Sequence, residues 1–305
     1  MSFTVTDAFV QQFTGNVRYL AQQKASRLRP TVVEDTITGE AAFMEQLAPT
    51  NARKVQSRHA DTPIMNTQHL RRRIVPYDYD WGDLVDRLDK VRLLIDPTSA
   101  YAVNGASAMG RGIDDEIIGA LFATAYTGHA GGTSVTWPNG NSESTPSQAA
   151  GLQVSVSDWT YGNGSGNAGL TISKLISAQV ALLAGEGDED EEKFIMVSAK
   201  QLGNLLATTE ATSADYNTVK ALYDGKIAQF MGFKFIHSER ILTNGSGYFR
   251  VPCWRKSGMG LGVAKDIEGM VYQRPDKRNA WQVYTDMAVG AARLEEVKLV
   301  ELICQ

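Results

Sequence analysis

The chain has 305 residues, 43% hydrophobic and 21% charged, with a formal net charge of -4. That length suits two modest domains or one large one. The charge balance excludes a polycation built to coat nucleic acid, and no apolar run approaches the ~18 residues of a membrane span.

Met1 to Val10 carries Asp7 and no basic stretch before an apolar run, which argues against a secretory signal. Phe9, Phe13, Val17, Leu20 and Ala21 fall at helical spacing, with Thr6 as a candidate cap. This predicts an amphipathic helix ended by Arg29-Pro30, because the residue before proline is pushed out of the α region. Within Met1–Arg29 the one acid is Asp7, against the bases Arg18, Lys24, Arg27 and Arg29. The bases read either as a solvated helix face or as an arm facing nucleic acid.

Thr31-Val32-Val33 and Thr36-Ile37-Thr38 are rich in β-branched residues, which favour strands. A polar stretch follows, and the chain returns through His69-Leu70-Arg71-Arg72-Arg73-Ile74-Val75. Thr31 to Pro76 is therefore expected to be a long two-stranded excursion with a mobile tip. A lone hairpin is marginal in water, so it should lean on another surface. Asp83–Leu94 is expected to be a helix. Asp96-Pro97-Thr98-Ser99 then provides a cap and a first-turn proline. The longest helical pattern follows, with Ala106, Met109, Ile113, Ile117 and Leu121 in one stripe and Asp114, Asp115 and Glu116 on the opposite side. Unbroken, it runs from Thr98 to about Tyr126, roughly 40 Å at ~1.5 Å per residue. Gly105, Gly110, Gly112 and Gly119 weaken it but admit a close neighbour.

Gly128 to Gly169 is glycine-rich and poor in charge, with short strands expected at Thr133–Trp137 and Gln153–Trp159. Beyond it come a helix at Leu170–Ala184, a buried strand at Phe194–Val197, a helix at Ala199–Ala207, a strand at Phe230–Ile236 and a turn at Gly245–Gly247. Trp281 to Cys304 reads as strand. The fold class is α+β.

Chemistry is sparsely signalled. Gly164-Ser165-Gly166-Asn167-Ala168-Gly169 is a literal G-x-G-x-x-G before a helix, the one feature that keeps a nucleotide-binding enzyme in view. The acids that should close the next strand stand at its wrong end, from Glu186 to Glu192, so a flexible glycine loop is the better account. His59, His69, His129 and His237 lack metal-ligand spacing, as do Cys253 and Cys304. Two cysteines are too few for a disulfide framework and favour a reducing compartment. His237-Ser238-Glu239 cannot form a relay from adjacent strand positions, which face opposite ways. No catalytic residue, cofactor or metal is expected. Asp78 and Asp80 read as surface or interface carboxylates that pair with Arg71–Arg73, and those arginines as ion-pair donors to a neighbour.

Several runs, in order, resemble one family. They are Val10-Gln11-Gln12-Phe13 with Gln23-Lys24-Ala25-Ser26-Arg27-Leu28-Arg29, then Asp61-Thr62-Pro63, Asp78-Tyr79-Asp80-Trp81, Asp96-Pro97-Thr98-Ser99, and Ala108-Met109-Gly110-Arg111 with Asp114-Asp115. Asp215-Tyr216-Asn217, Met231-Gly232-Phe233 with Phe235-Ile236, Glu239-Arg240 and Lys256-Ser257-Gly258-Met259 continue the set. The chain is similar to the major capsid proteins of tailed bacteriophages.

The resemblance implies the Hong Kong 97-type capsid fold, with residues 1–30 as an N-terminal arm and 31–76 as an extended loop. Residues 77–127 and 275–305 would form a peripheral domain with a spine helix, and 128–274 an axial domain. It implies self-assembly into pentamers and hexamers of an icosahedral head that encloses double-stranded DNA, built in the bacterial host cytoplasm and ending in the virion. Implied partners are further copies of the chain, a separate scaffolding protein, a portal, possible decoration proteins and packaged DNA, with no membrane. Arg71, Arg72, Arg73, Asp78 and Asp80 would make inter-subunit contacts, and Arg18, Lys24, Arg27 and Arg29 would face the lumen. Charge reversal of Arg71–Arg73 is then expected to impair assembly and leave the monomer folded. An encapsulin-like container shares the fold and remains the alternative.

Overall fold

The computed structural model describes residues 22–55, 57–58, 61–62, 64–85, 98–138, 152–185, 190–207 and 229–305. In chain order the strands and helices begin with β1 (Val33–Thr36), β2 (Ala42–Leu47), β3 (His69–Ile74), β4 (Tyr77–Val85), α1 (Thr98–Phe122), β5 (Ala125–Thr127), β6 (Thr133–Val135) and β7 (Gln153–Val154). They continue with α2 (Ile172–Ala184), β8 (Lys193–Val197), α3 (Ala199–Leu206), β9 (Gln229–Phe230), β10 (Phe233–His237), β11 (Phe249–Arg255), β12 (Met259–Arg274), β13 (Ala280–Arg293) and β14 (Leu299–Cys304). The strands form three sheets, ordered β1-β12-β13-β4, β7-β14-β11-β8-β10-β9 and β2-β3-β5-β6.

The chain divides into two compact units. One holds residues 78–112 and 265–288 with the described start of the chain up to Ser26. Here Trp81 of β4 lies against Gly105 of α1, where a Cβ would come within 2.6 Å of the indole. At Gly110 a Cβ would come within 2.8 Å of the Ser26 nitrogen. The helix glycines thus admit a close ring and a close backbone, as their spacing suggested.

The other unit holds residues 27–77, 113–264 and 289–305. Its six-stranded sheet is buried through β8, β11 and β14, and α2 packs on β14 and β7. The helices start where their caps dictate: Thr171 Oγ1 accepts from Lys174 N, and Ser198 Oγ accepts from Gln201 N. A second apolar cluster joins Ile37, Ile74 and Ala292, with Ala42 and Met44 packed on it.

Several expectations need correction. Residues 22–28 are not helical. The Arg27 and Leu28 amides donate to the buried carboxylate of Asp114 at 3.1 Å, and Pro30 sits in a 3-10 turn over Arg29–Thr31. Asp114 therefore lies on the buried side of α1, 1% exposed, and Ala106 is exposed, so the stripe begins at Met109. The helix ends at Phe122, giving 25 residues and about 37 Å, because Ala125–Thr127 pairs in a sheet. Asp83–Val85 belongs to β4 rather than a helix, and the rest of that expected helix, 86–94, lies outside the described residues. The first β-branched run forms β1 parallel to β12, so it is not a strand of the excursion. The strand expected at Gln153–Trp159 is only Gln153–Val154, and Trp281–Cys304 holds two strands from different sheets. Phe230–Ile236 is broken by a turn at Met231-Gly232, both at positive φ.

Candidate functional site

The excursion is built on β2 and β3, which pair antiparallel from Ala42↔Ile74 to Leu47↔His69. Ala48 N extends the ladder to Gln68 O at 2.9 Å. Beyond it, every described residue of 49–69 is exposed. This surface includes Val55 at 80% and Ile64 at 94% exposure, and Leu47 at the end of β2 is 65% exposed. Arg53, Lys54 and Arg58 are exposed as well, and among the described residues none of them forms an ion pair.

The three arginines of β3 have separate fates. Arg71 lies over the Phe43 ring, 5.3 Å from its centroid, and pairs with Glu45 at 3.1 Å. Arg72 is 7% exposed, donates to Leu294 O at 2.8 Å and pairs with Glu296 at 2.7 Å. The Arg73 stem packs against Gly131. Arg72 alternates inward on a half-buried strand, so its place in an exposed contact run is corrected: reversing its charge would bury a carboxylate against Glu296 and unfold the subunit.

Glu296 also holds Arg293 at 3.3 Å. Arg293 is fully buried and donates to Leu121 O and Ala123 O, both at 2.9 Å, and to Val135 O at 3.2 Å. The Leu121 carbonyl is among the last of α1, so a cation sits where the helix leaves acceptors unsatisfied. Burial lowers the Arg293 pKa. A second buried carboxylate, Glu301, is 1% exposed and accepts from Arg250, from Trp137 Nε1 at 2.7 Å and from Gln153 Nε2 at 3.1 Å. Arg250 stacks 4.1 Å from the Phe122 centroid. None of these buried charges was anticipated from the sequence.

Asp78 and Asp80 stand on the exposed face of β4 and, among the described residues, have no hydrogen bond or ion pair. Both line a cleft of about 400 Å³ with Lys265, Tyr284 and Asp286. Asp286 Oδ2 takes the Lys265 ammonium at 2.8 Å, and its buried Oδ1 has no partner among the described residues. Burial, with the carboxylates of Asp286 and Asp80, holds the Tyr284 phenol above its ordinary pKa. Within one chain Arg71 and Arg72 pair with Glu45 and Glu296.

Of the arm bases, Arg18 lies outside the described residues. Lys24 is exposed. Arg27 donates to His237 O at 2.5 Å, and Arg29 forms a two-point pair with Glu34 at 2.6 and 3.0 Å.

The glycine loop is filled by its own chain. The Trp159 indole donates to Gly166 O at 2.9 Å, and the carbonyls of Ala168 and Gly169 turn to Lys174 Nζ at 2.7 and 3.0 Å. It presents acceptors where a phosphate cradle needs amide donors. His237 reaches Glu239 at 2.9 Å, and the Ser238 hydroxyl instead accepts from Arg240 N. Among the described residues no group of His, Cys, Asp and Glu is arranged to hold a metal, and no helix is long and apolar enough to cross a membrane.

The sequence matches the family described as phage capsid protein over residues 5–305. No curated protein matches it significantly. Among solved structures, the chain is similar to the capsid of the cyanophage P-SCSP1u, at 14% identity and a TM-score of 0.69, over 100% of this chain and 95% of that one. It is similar to the capsid of Ralstonia phage GP4, at 11% identity and a TM-score of 0.70, over 97% and 95%. It is also similar to the acid-stable capsid of the Helicobacter pylori bacteriophage KHP30, at 10% identity and 0.68, over 100% and 99%. These likenesses span both units and establish the α+β fold as the Hong Kong 97-type capsid fold. With the family matched almost end to end and the fold shared with assembled phage shells, the chain belongs to the phage capsid protein family and is a major capsid protein, a structural component of the virion.

Proposed function

We propose that copies of this chain form the pentamers and hexamers of an icosahedral head around double-stranded DNA, each laying its excursion on a neighbouring copy. One observation carries this reading: the excursion exposes large apolar side chains, Leu47 at the end of β2 and Val55 and Ile64 beyond it. A two-stranded ribbon of that kind is marginal in water and gains order by docking. In this reading residues 31–76 are the extended loop, 77–127 and 275–305 the peripheral domain with α1 as its spine, and 128–274 the axial domain. Residues 1–30 are the arm.

The inner surface takes the arm bases, with Lys24 exposed and Arg27 and Arg29 already engaged by carbonyl and carboxylate oxygens. Their contact with DNA is then weak and independent of sequence, as phosphate contacts are. A separate scaffolding protein and a portal complete the assembly in the host cytoplasm. Catalysis has no part in it; many weak contacts repeated by symmetry stabilise the shell.

The test replaces residues 49–67 by a short turn. The subunit should remain folded by circular dichroism, while sedimentation and electron microscopy should find no closed shells. Normal shells from the shortened chain would overturn the loop assignment. Arg71→Glu with Arg73→Glu, leaving Arg72 intact, is the companion variant and should also depress shell yield without unfolding the subunit.

A further inference from the structure

We infer that the acidic cleft on β4, β12 and β13 receives the basic tip of the excursion from a neighbouring copy, with Arg53, Lys54 and Arg58 opposite Asp78, Asp80 and Asp286. The inference deepens the docking proposed above and rests on it, because it names where the loop lands and which groups hold it.

Charge complementarity within one chain carries the argument. The excursion from Ala48 to Gln68 holds Arg53, Lys54 and Arg58 against one acid, Asp61. All four are exposed. Among the described residues none of the three bases has an ion-pair partner. The cleft reverses that balance, with three carboxylates against the single ammonium of Lys265. Lys265 already spends its charge on Asp286 at 2.8 Å and Glu268 at 3.1 Å.

Asp78 and Asp80 are left without a counter-charge among the described residues. Asp286 Oδ1 has no hydrogen-bond donor among the described residues. Burial first, and then the Asp286 and Asp80 carboxylates, raise the Tyr284 pKa.

The cleft also offers apolar surface for the stems of the incoming side chains. The Tyr284 ring and Ala288 line it, and arginine and lysine lay their methylenes along such surface while the charged head stays near carboxylates. Two adjacent carboxylates at alternate positions of one strand, Asp78 and Asp80, are spaced to meet two side chains of an extended segment. One such pair contributes little by itself. Repeated at every copy of a closed shell, the contact becomes decisive for assembly.

The experiment is a charge swap in the full chain, assembled with and without a scaffolding protein and read by sedimentation and negative-stain microscopy. Asp78→Lys with Asp80→Lys should cut closed-shell yield by about tenfold or more, and so should Arg53→Glu with Lys54→Glu and Arg58→Glu. All five substitutions together should restore yield to within about threefold of wild type, because the pairs re-form with signs exchanged. The substituted positions are exposed, so circular dichroism of the unassembled subunit should be unchanged. Should the lysine variant fail to fold, Asp78→Asn with Asp80→Asn removes the charge at nearly constant shape and should still lower yield.

Wild-type yield from either single set, or a combination no better than the worse set, overturns the pairing. If the shortened loop blocks assembly while the swap shows no rescue, the docking reading stands and this landing site falls. If the shortened loop assembles normally, both fall together.

Discussion

Replacing Glu296 by glutamine tests the buried charge cluster at the base of the hairpin. The substitution keeps shape and removes one charge. Glu296 is 5% exposed and faces two guanidiniums, Arg72 at 2.7 Å and Arg293 at 3.3 Å. Loss of one partner of a buried pair typically costs about 3–5 kcal/mol, because the other charge stays buried and uncompensated. Arg293 keeps three carbonyl acceptors, which places the expected loss near the lower end, about 3 kcal/mol. At ~2–4 °C per kcal/mol the unassembled subunit should melt about 6–12 °C lower. Glu45→Gln breaks the exposed Arg71 pair and serves as control, with an expected loss below about 1 kcal/mol. Scanning calorimetry or thermal circular dichroism of both variants decides it. A double-mutant cycle with Arg72→Met should give a coupling of about 1–3 kcal/mol. If Glu296→Gln melts no lower than Glu45→Gln, the cluster does not anchor the hairpin as argued.

Three further outcomes follow from local geometry. Gly119 has nothing within 4 Å of an added Cβ, whereas at Gly110 the Ser26 nitrogen would lie at 2.8 Å; Gly119→Ala should stabilise the subunit by up to ~1 kcal/mol of helix propensity and raise its melting temperature, and Gly110→Ala should lower it. Burial pushes the Cys304 thiol up to about 12 and the Cys253 thiol upward as well, so neither should react with a maleimide at pH 8 until denaturant is added. For Asp158, burial raises the pKa, but hydrogen bonds from Ser177 and Thr160 outweigh it and hold the carboxyl below its ordinary value. A depressed folded pKa means stability present above the unfolded value of ~3.9 and lost as pH falls through the folded one, so wild type and Asp158→Asn should differ at pH 6 and converge as pH falls through the folded value in urea melts.

The parts of the fold that could be read in advance carry their own local signals. The stripe Met109, Ile113, Ile117 and Leu121 marks α1, and Thr171 and Ser198 mark the starts of α2 and α3. β8 is an unbroken apolar run after its first residue. β11 carries Pro252 in an interior strand, where proline normally argues against pairing, and β12 opens on alternating glycines, Gly260 and Gly262, that make room for Met44 and Ile37. Neither was visible without its partners. The hairpin was located correctly at β3 but its first strand was displaced, because Val33–Thr36 satisfies its β-branched preference against β12 instead.

Among the candidate contact residues, the composition of the run Arg71–Arg73 says nothing of which member turns inward. That depends on Glu296, 224 positions away. Arg293 and Glu301 are hidden for a like reason, their partners Leu121 and Arg250 lying 172 and 51 positions away, since a charged residue is exposed by default unless a partner is known. Asp78 and Asp80 were singled out by alternation alone, and the cleft beside them depends on β13, read only as part of one terminal strand, and on β12, which no local pattern announced.

Negative-stain electron microscopy with sedimentation on the purified chain, expressed with and without a scaffolding protein, tests the central claim most directly. Closed shells, or capsomers of five and six subunits, are the predicted result. A uniform monomer or dimer under both conditions would contradict it.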